Sequence, residues 1–428
     1  MRNMVFSKKQ IAKHLRGDGV LRGAIILKSI KLKVSFKLFT TTMLLMVSIV
    51  TYGQGLNEGS TDKNYYTEIN YEYVKGKIII PVVIEDKTYR FILDTGAPNI
   101  ISSALKKRIK TNYQKSISVK DANNKEKSMD IVTIPLITVG GVSFYNTPSL
   151  VNESGANLFF DCFKIDGFIG SNMLRNSIIQ ILPEKQLIRI TRDKKRLSLI
   201  KKNATKLSLV GDQRQPFIWL KIKGYKKANE RVLIDTGMGD FYALSNEHLR
   251  ILQKDSIIKI ANEGVGSMGS GLFGVEEKSK YYRVTIPEIE IINSAFKNVL
   301  VETTNSKNSR IGTEMLAHGN VTIDFKNKRF YYDAFKTIID LEKKSYGFSP
   351  AIIDNKLAVG IVWHKDLKKE LNYGEQIIKI NGIDYSEIEV CDLITQRSRF
   401  KDNVNLELVI LDKHGEEKTI LLKKELLK

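Results

Sequence analysis

The chain has little of what metal-dependent, cofactor-dependent or covalent chemistry usually needs. Its 428 residues hold two cysteines, Cys162 and Cys391, and five scattered histidines: His14, His248, His318, His364 and His414. No Cys/His cluster with zinc-ligand spacing results, so no metal is expected. A Gly-x-Ser-x-Gly nucleophile elbow is missing, as is a phosphate-cradling glycine loop with its lysine. These absences leave a chain that works without cofactor. The two cysteines also fall in segments read below as different domains, so no disulfide between them is expected. Low-complexity blocks are absent, and no apolar run is long enough for an easy membrane span.

Negative charge is scarce too. Lys and Arg number 68 against 47 Asp and Glu, a net charge of +21. Much of the excess sits at the N-terminus. Residues 1–53 carry ten basic residues and one acid, which is +9 of the total. Lys28, Lys31, Lys33 and Lys37 precede the apolar stretch Leu38–Val50 and then Thr51-Tyr52-Gly53, the pattern of an export signal with a small-residue cleavage site. The basic stretch ahead of Lys28 is longer than such a signal needs, which points to a true start downstream of Met1. No cysteine follows the apolar core, so a lipoprotein anchor is not expected. The remaining +12 is spread through Lys-rich loops such as Lys194-Lys195-Arg196 and Lys343-Lys344 without a nucleic-acid motif, and no nucleic-acid partner is expected.

What is present is a repeat. Asp-Thr-Gly occurs at Asp94-Thr95-Gly96 and at Asp235-Thr236-Gly237, each after an apolar strand-like run, Phe91–Leu93 and Val232–Ile234. A carboxylate at the end of a buried strand, on a glycine turn, is presented in a cleft. Two such acids face to face share one proton, because like charges so close do not both ionise cheaply. Matching segments follow in order: Ile134-Pro135 and Ile286-Pro287, then Phe168-Ile169-Gly170 and Arg310-Ile311-Gly312. The offset is 141 at the Asp and 142 at the Gly. It rises to 152 at the Ile-Pro pair, where a glycine-rich insertion around 264–274 accounts for the excess. The order and spacing indicate internal duplication.

These residues resemble the aspartic peptidases of the pepsin and retropepsin type over roughly residues 70–335. The resemblance implies a mainly β, bilobal fold with closed barrel-like lobes at 71–200 and 201–340. It makes Asp94 and Asp235 the catalytic dyad. Thr95 and Thr236 would hydrogen-bond between the two loops, Gly96 and Gly237 admit the backbone to the carboxylates, and Gly170 and Gly312 pack beneath. Departures stand out: Ala97 and Met238 follow the two motifs where pepsins place a hydroxyl, Arg310 replaces an apolar residue, and the pepsin disulfides are absent. Without those hydroxyl donors the carboxylates should titrate higher, favouring milder pH than pepsin's.

Gly264–Gly274 is the densest glycine run, and Gly266, Gly269 and Gly271 are candidates for a flap over the dyad or for a plain hairpin connection. The first-half counterpart, Lys120–Lys125, reads as a polar hairpin tip. Beyond 340 the pattern changes. Ser345-Tyr346-Gly347-Phe348 and the later Gly374-Glu375-Gln376-Ile377…Ile380-Asn381-Gly382 resemble a PDZ domain over 341–428, an α+β module. That resemblance implies a helix over Ile388–Ser398 and a peptide C-terminus held on the backbone N–H groups of Tyr346, Gly347 and Phe348. Residues 54–70 read as a short leader or pro-segment.

Together these point to an exported aspartic endopeptidase with a PDZ-like module, periplasmic, envelope-associated or secreted, of the sort found in bacterial envelopes. Its expected partners are a peptide or protein substrate and a C-terminal peptide ligand. The alternatives are a non-catalytic peptide-binding protein and an envelope scaffold that keep the peptidase fold.

Overall fold

The computed structural model describes residues 55–153, 157–396 and 403–426. The expected export signal over 1–53 lies outside the described residues.

The described chain is mainly β. Burial explains why the runs before each Asp-Thr-Gly are continuously apolar rather than alternating. In strand Lys87–Asp94, Phe91 and Leu93 enter the main core while Ile92, between them, enters a second cluster on the opposite face. A strand covered on both faces needs apolar residues at every position.

Two nine-stranded sheets each contain a closed ring of six strands. The first ring runs Lys77–Ile84, Lys87–Asp94, Gly167–Gly170, Ile100–Ser102, Val142–Asn152, Glu126–Val139 and back to Lys77–Ile84. The second runs Gln215–Lys223, Lys227–Ile234, Arg310–Ile311, Tyr242–Ser245, Ser294–Thr304, Ser279–Ile291 and back to Gln215–Lys223. Segment for segment, the order is the one the sequence repeat gives. Closing a sheet removes its free edges. Each ring extends into a hairpin, Asn112–Lys120 with Glu126–Val139 in one and Ile260–Gly266 with Ser279–Ile291 in the other.

A six-stranded sheet joins the halves. Ile178–Leu182 of the first half pairs antiparallel with Gly319–Asp324 of the second, and Tyr66–Asn70 and Ala204–Lys206 close its two sides. In the segment read as a short leader or pro-segment, Tyr66–Asn70 is a strand of this sheet. Ser60–Thr61 adds to the first sheet, Leu56 is buried, and the Tyr65 hydroxyl meets Ser177 Oγ at 2.6 Å, so from residue 55 the segment is built into the body.

The tail forms its own six-stranded sheet, with Phe348–Ile353 at one end and Glu417–Lys423 at the other, around its own core. Its helix is Val390–Thr395, shorter than the expected Ile388–Ser398, whose last two residues lie outside the described ones. The tail packs on the second hairpin. Arg283 lies 4.5 Å from the Trp363 ring centroid and donates to Ser349 Oγ at 2.9 Å and to the Tyr346 carbonyl at 3.3 Å.

One expectation fails outright. Cys162 and Cys391 form a disulfide across 229 residues of sequence. It joins helix Leu158–Phe163, beside the first ring, to the tail helix. Assigning the cysteines to separate domains hid that the two helices pack together.

Candidate active site

Both Asp-Thr-Gly loops are delivered by the same local construction. A ring strand ends at the Asp or one residue before it, and the strand that contains or leads into the later glycine runs parallel beside it. Gly170 pairs with Asp94, and the Asp235 N–H donates to the Ile311 carbonyl at 2.9 Å. A Cβ on Gly170 would lie 2.1 Å from the Pro98 carbonyl carbon, and one on Gly312 would lie 2.4 Å from the Asp240 carbonyl oxygen. Both positions therefore demand glycine, because the motif loops fold directly over them.

The two loops lock to each other through their threonines. The Thr95 N–H donates to Thr236 Oγ1 at 3.0 Å, and the Thr236 N–H donates to Thr95 Oγ1 at 3.1 Å. Each hydroxyl then donates across the interface, Thr95 to the Ile234 carbonyl at 2.6 Å and Thr236 to the Leu93 carbonyl at 2.7 Å. Both threonines are buried, so these groups depend on one another for partners.

That lock brings the carboxylates together. A Cβ on Gly96 would lie 2.6 Å from Asp235 Cγ, and one on Gly237 would lie 2.4 Å from Asp94 Cγ. Each acid thus sits over the glycine of the opposite loop. Asp94 Oδ1 accepts the Gly96 N–H at 2.9 Å and the Ala97 N–H at 3.1 Å, while Asp235 Oδ1 accepts the Gly237 N–H at 3.0 Å. The backbone of Ala97 supplies a donor that its side chain lacks. Burial, with the Asp235 charge added to it, pushes the Asp94 carboxyl up to about 7, against the pull of Lys77 and the two N–H bonds.

Two cations reach this site, and sequence reasoning did not assign either to it. Lys77 follows Gly76, whose positive φ of 79° and tight approach to Gly239 turn the strand start toward the second loop. Its Nζ donates to the Gly237 carbonyl. Burial pushes the ammonium down while Asp94, Asp235 and Asp240 pull it up. Arg310 Nη1 is 3.3 Å from Asp235 Oδ2. Its place in the motif was legible as a departure from an apolar pattern, and that departure was the signal; its pairing with Asp235 was not legible. Lys77 carried no signal, because it lies outside both motifs, at the start of the strand that pairs with Lys87–Asp94.

The two hairpin tips meet, and the second also reaches Asn157 at the start of helix Leu158–Phe163. The Phe273 N–H donates to Asp121 Oδ2 at 3.1 Å, and Asn157 Nδ2 donates to the Leu272 carbonyl at 3.0 Å. The Phe273 side chain is buried in a cluster with Phe160, Phe163 and Phe168, against which Ala97 and Phe159 also pack. Of the candidate flap glycines, Gly271 lies at this contact, where an added Cβ would be 2.4 Å from Asp121 Oδ2, and Gly269 has open space around it. Gly266 is not at the tip. It ends strand Ile260–Gly266 and presses on the tail, where a Cβ would clash with the Gly360 carbonyl at 1.8 Å.

In the tail, the Tyr346 and Phe348 side chains are buried in the tail core. The Gly347 carbonyl accepts the Trp363 and His364 N–H groups at 2.8 and 3.1 Å.

Residues 80–173, which include the first motif and Gly170, match the family model described as aspartyl protease. No curated protein matches the chain. Among solved structures, the crystal structure of aspartic proteinase from Irpex lacteus is similar at 12% identity and a TM-score of 0.41, covering 64% of this chain and 98% of that one. The family match supports an aspartic-peptidase kinship for the half that carries Asp94.

Proposed function

We propose that the protein is an exported aspartic endopeptidase, with Asp94 and Asp235 as its dyad and the tail as a peptide-binding module of the PDZ kind. One observation carries the reading: two carboxylates, each seated over the other loop's glycine and held there by reciprocal threonine bonds. Such a pair positions one water, lends a base to it and an acid to the substrate carbonyl, and needs no covalent intermediate. The buried cluster against which Ala97 packs, with Phe273 of the second hairpin tip in it, gives the first motif an apolar neighbour.

The Cys162–Cys391 disulfide supports export, because such bonds persist in oxidising compartments. In the tail, Phe348–Ile353 ends its sheet, which leaves one strand edge suited to an added peptide strand.

Purified protein should cleave an unfolded protein substrate, and Asp94→Asn or Asp235→Asn should each abolish cleavage while leaving the circular dichroism spectrum unchanged. Undiminished cleavage by either variant would sink the reading. A second reading, peptide binding without cleavage, draws on the cations set against the dyad. It would be favoured by peptide binding and no cleavage between about pH 3 and 8, a span that brackets dyad titration.

A further inference from the structure

The two motif sets differ at one position beside the dyad, and the difference is a full charge. In the first set, Phe168 stands two residues before Gly170, beside Ile92 in the parallel pair. It meets Phe160 edge-on at 5.2 Å between centroids and is buried. In the second set the same place, two before Gly312 and beside Leu233, belongs to Arg310. Its Nη1 faces Asp235 Oδ2 at 3.3 Å and its Nη2 faces Thr304 Oγ1 at 3.4 Å. Only 15% of the side chain is exposed, and Nε is buried without a hydrogen-bond partner. A guanidinium so enclosed needs an anion beside it.

The remaining charges around the pair are Lys77 and Asp240. Lys77 feels both Asp94 and Asp235, so it favours ionisation of the pair without singling out Asp235. Asp240 is one of the anions that Lys77 feels. Arg310 alone among these groups forms an ion pair with one dyad member and not the other. Asp94, by contrast, has an aromatic cluster on the corresponding side and a carboxyl that holds its proton to about 7.

We propose that Arg310 fixes the polarity of the dyad, keeping Asp235 as the ionised base and Asp94 as the holder of the shared proton. The assignment rests on the peptidase reading. Asp235 takes a proton from the water as the water oxygen bonds to the carbonyl carbon, and Asp94 gives its proton to the carbonyl oxygen. Asp235 then passes its proton to the amide nitrogen as the C–N bond breaks, and one hydroxyl proton of the diol returns to Asp94. Arg310 touches no reacting atom in this scheme and is a positioning residue.

The test follows the aspartate Cγ signals by carbon-13 NMR across pH, assigned with Asp94→Asn and Asp235→Asn. In the wild type the Asp94 signal should move near neutral pH while the Asp235 signal keeps its carboxylate position over that range. In Arg310→Leu and Arg310→Gln the two signals should move together; Arg310→Lys should restore the separation. An Asp235 signal that moves alone near neutral pH, or a Leu or Gln variant identical to wild type, would overturn the assignment. This readout needs no cleavage, so an inactive wild type would count against the peptidase reading alone. Where cleavage is present, loss of the guanidinium should shift the acid limb of kcat/KM upward by about one pH unit or more. A purely structural role would lower the rate without moving the limb.

Discussion

At Asp94, burial and the neighbouring Asp235 act in one direction, toward the neutral acid, and Lys77 and two backbone N–H groups do not fully offset them. The folded state therefore binds the proton more tightly than the unfolded chain, whose carboxyl titrates near 3.8. Below that value both states are protonated and Asp94 costs nothing. As pH rises the unfolded chain ionises first, and stability is lost progressively until the folded carboxyl ionises near 7. Asp94→Asn removes this dependence. The variant should be more stable than wild type at about pH 8, by up to about 4 kcal/mol, and the gain should vanish near pH 3. Thermal unfolding of both proteins at the two pH values checks the sign. The same residue shows what the sequence could disclose. Asp94, Thr95 and their partners were legible because chemistry ties them to a tripeptide, and Arg310 was legible as an oddity. Its pairing with Asp235, and the arrival of Lys77, required knowing which strands lie side by side.

Among the elements, the ring strands follow from apolar runs and glycine turns, and the two sheets repeat as the sequence repeats. The hairpins were visible as well; that their tips touch was not. That contact joins residues 121 and 273, and nothing local in either tip announces it. Its strength is open to calculation. Burying a phenylalanine contributes about 2 kcal/mol and the Phe273–Asp121 hydrogen bond about 1. The docked form should then exceed the open form by about 100-fold. Phe273→Ala should speed amide exchange across 121–125 and 270–274 by at least about tenfold, and Asp121→Ala should do so more weakly at 270–274 because it leaves the ring in place, although at 121–125 it also removes the acceptor of the Asn123 and Lys125 N–H groups. Exchange at Thr95 and Thr236 should stay slow in both variants, since the threonine lock lies outside the tip contact. Fast exchange at those tips in the wild type would show that the contact is not held in solution.

For the whole molecule, the tail is fastened at two places that lie on opposite halves. Arg283 and Trp363 bind it to the second hairpin, and Cys162–Cys391 binds it to the helix whose Phe160 and Phe163 belong to the cluster against which Ala97 packs. Composition gave no hint of this, because a sequence that resembles two modules reads as two independent bodies. Cross-linking residues 229 apart restricts the unfolded chain, and on the chain-entropy account this is worth up to about 5 kcal/mol. Cys162→Ser with Cys391→Ser should lower the unfolding temperature, and reduction of the wild type should match the double variant. If the disulfide did no more than that, Phe160 and Phe163 would keep their packing in the reduced protein. The geometry predicts otherwise: with the tail helix released, the cluster of Phe160 and Phe163 loses the support of Ile394, which packs against it. Amide exchange in Leu158–Phe163 should therefore rise on reduction while exchange at Arg283 and Ser349 does not. Equal protection of the helix before and after reduction would leave the disulfide a restraint on the unfolded chain alone.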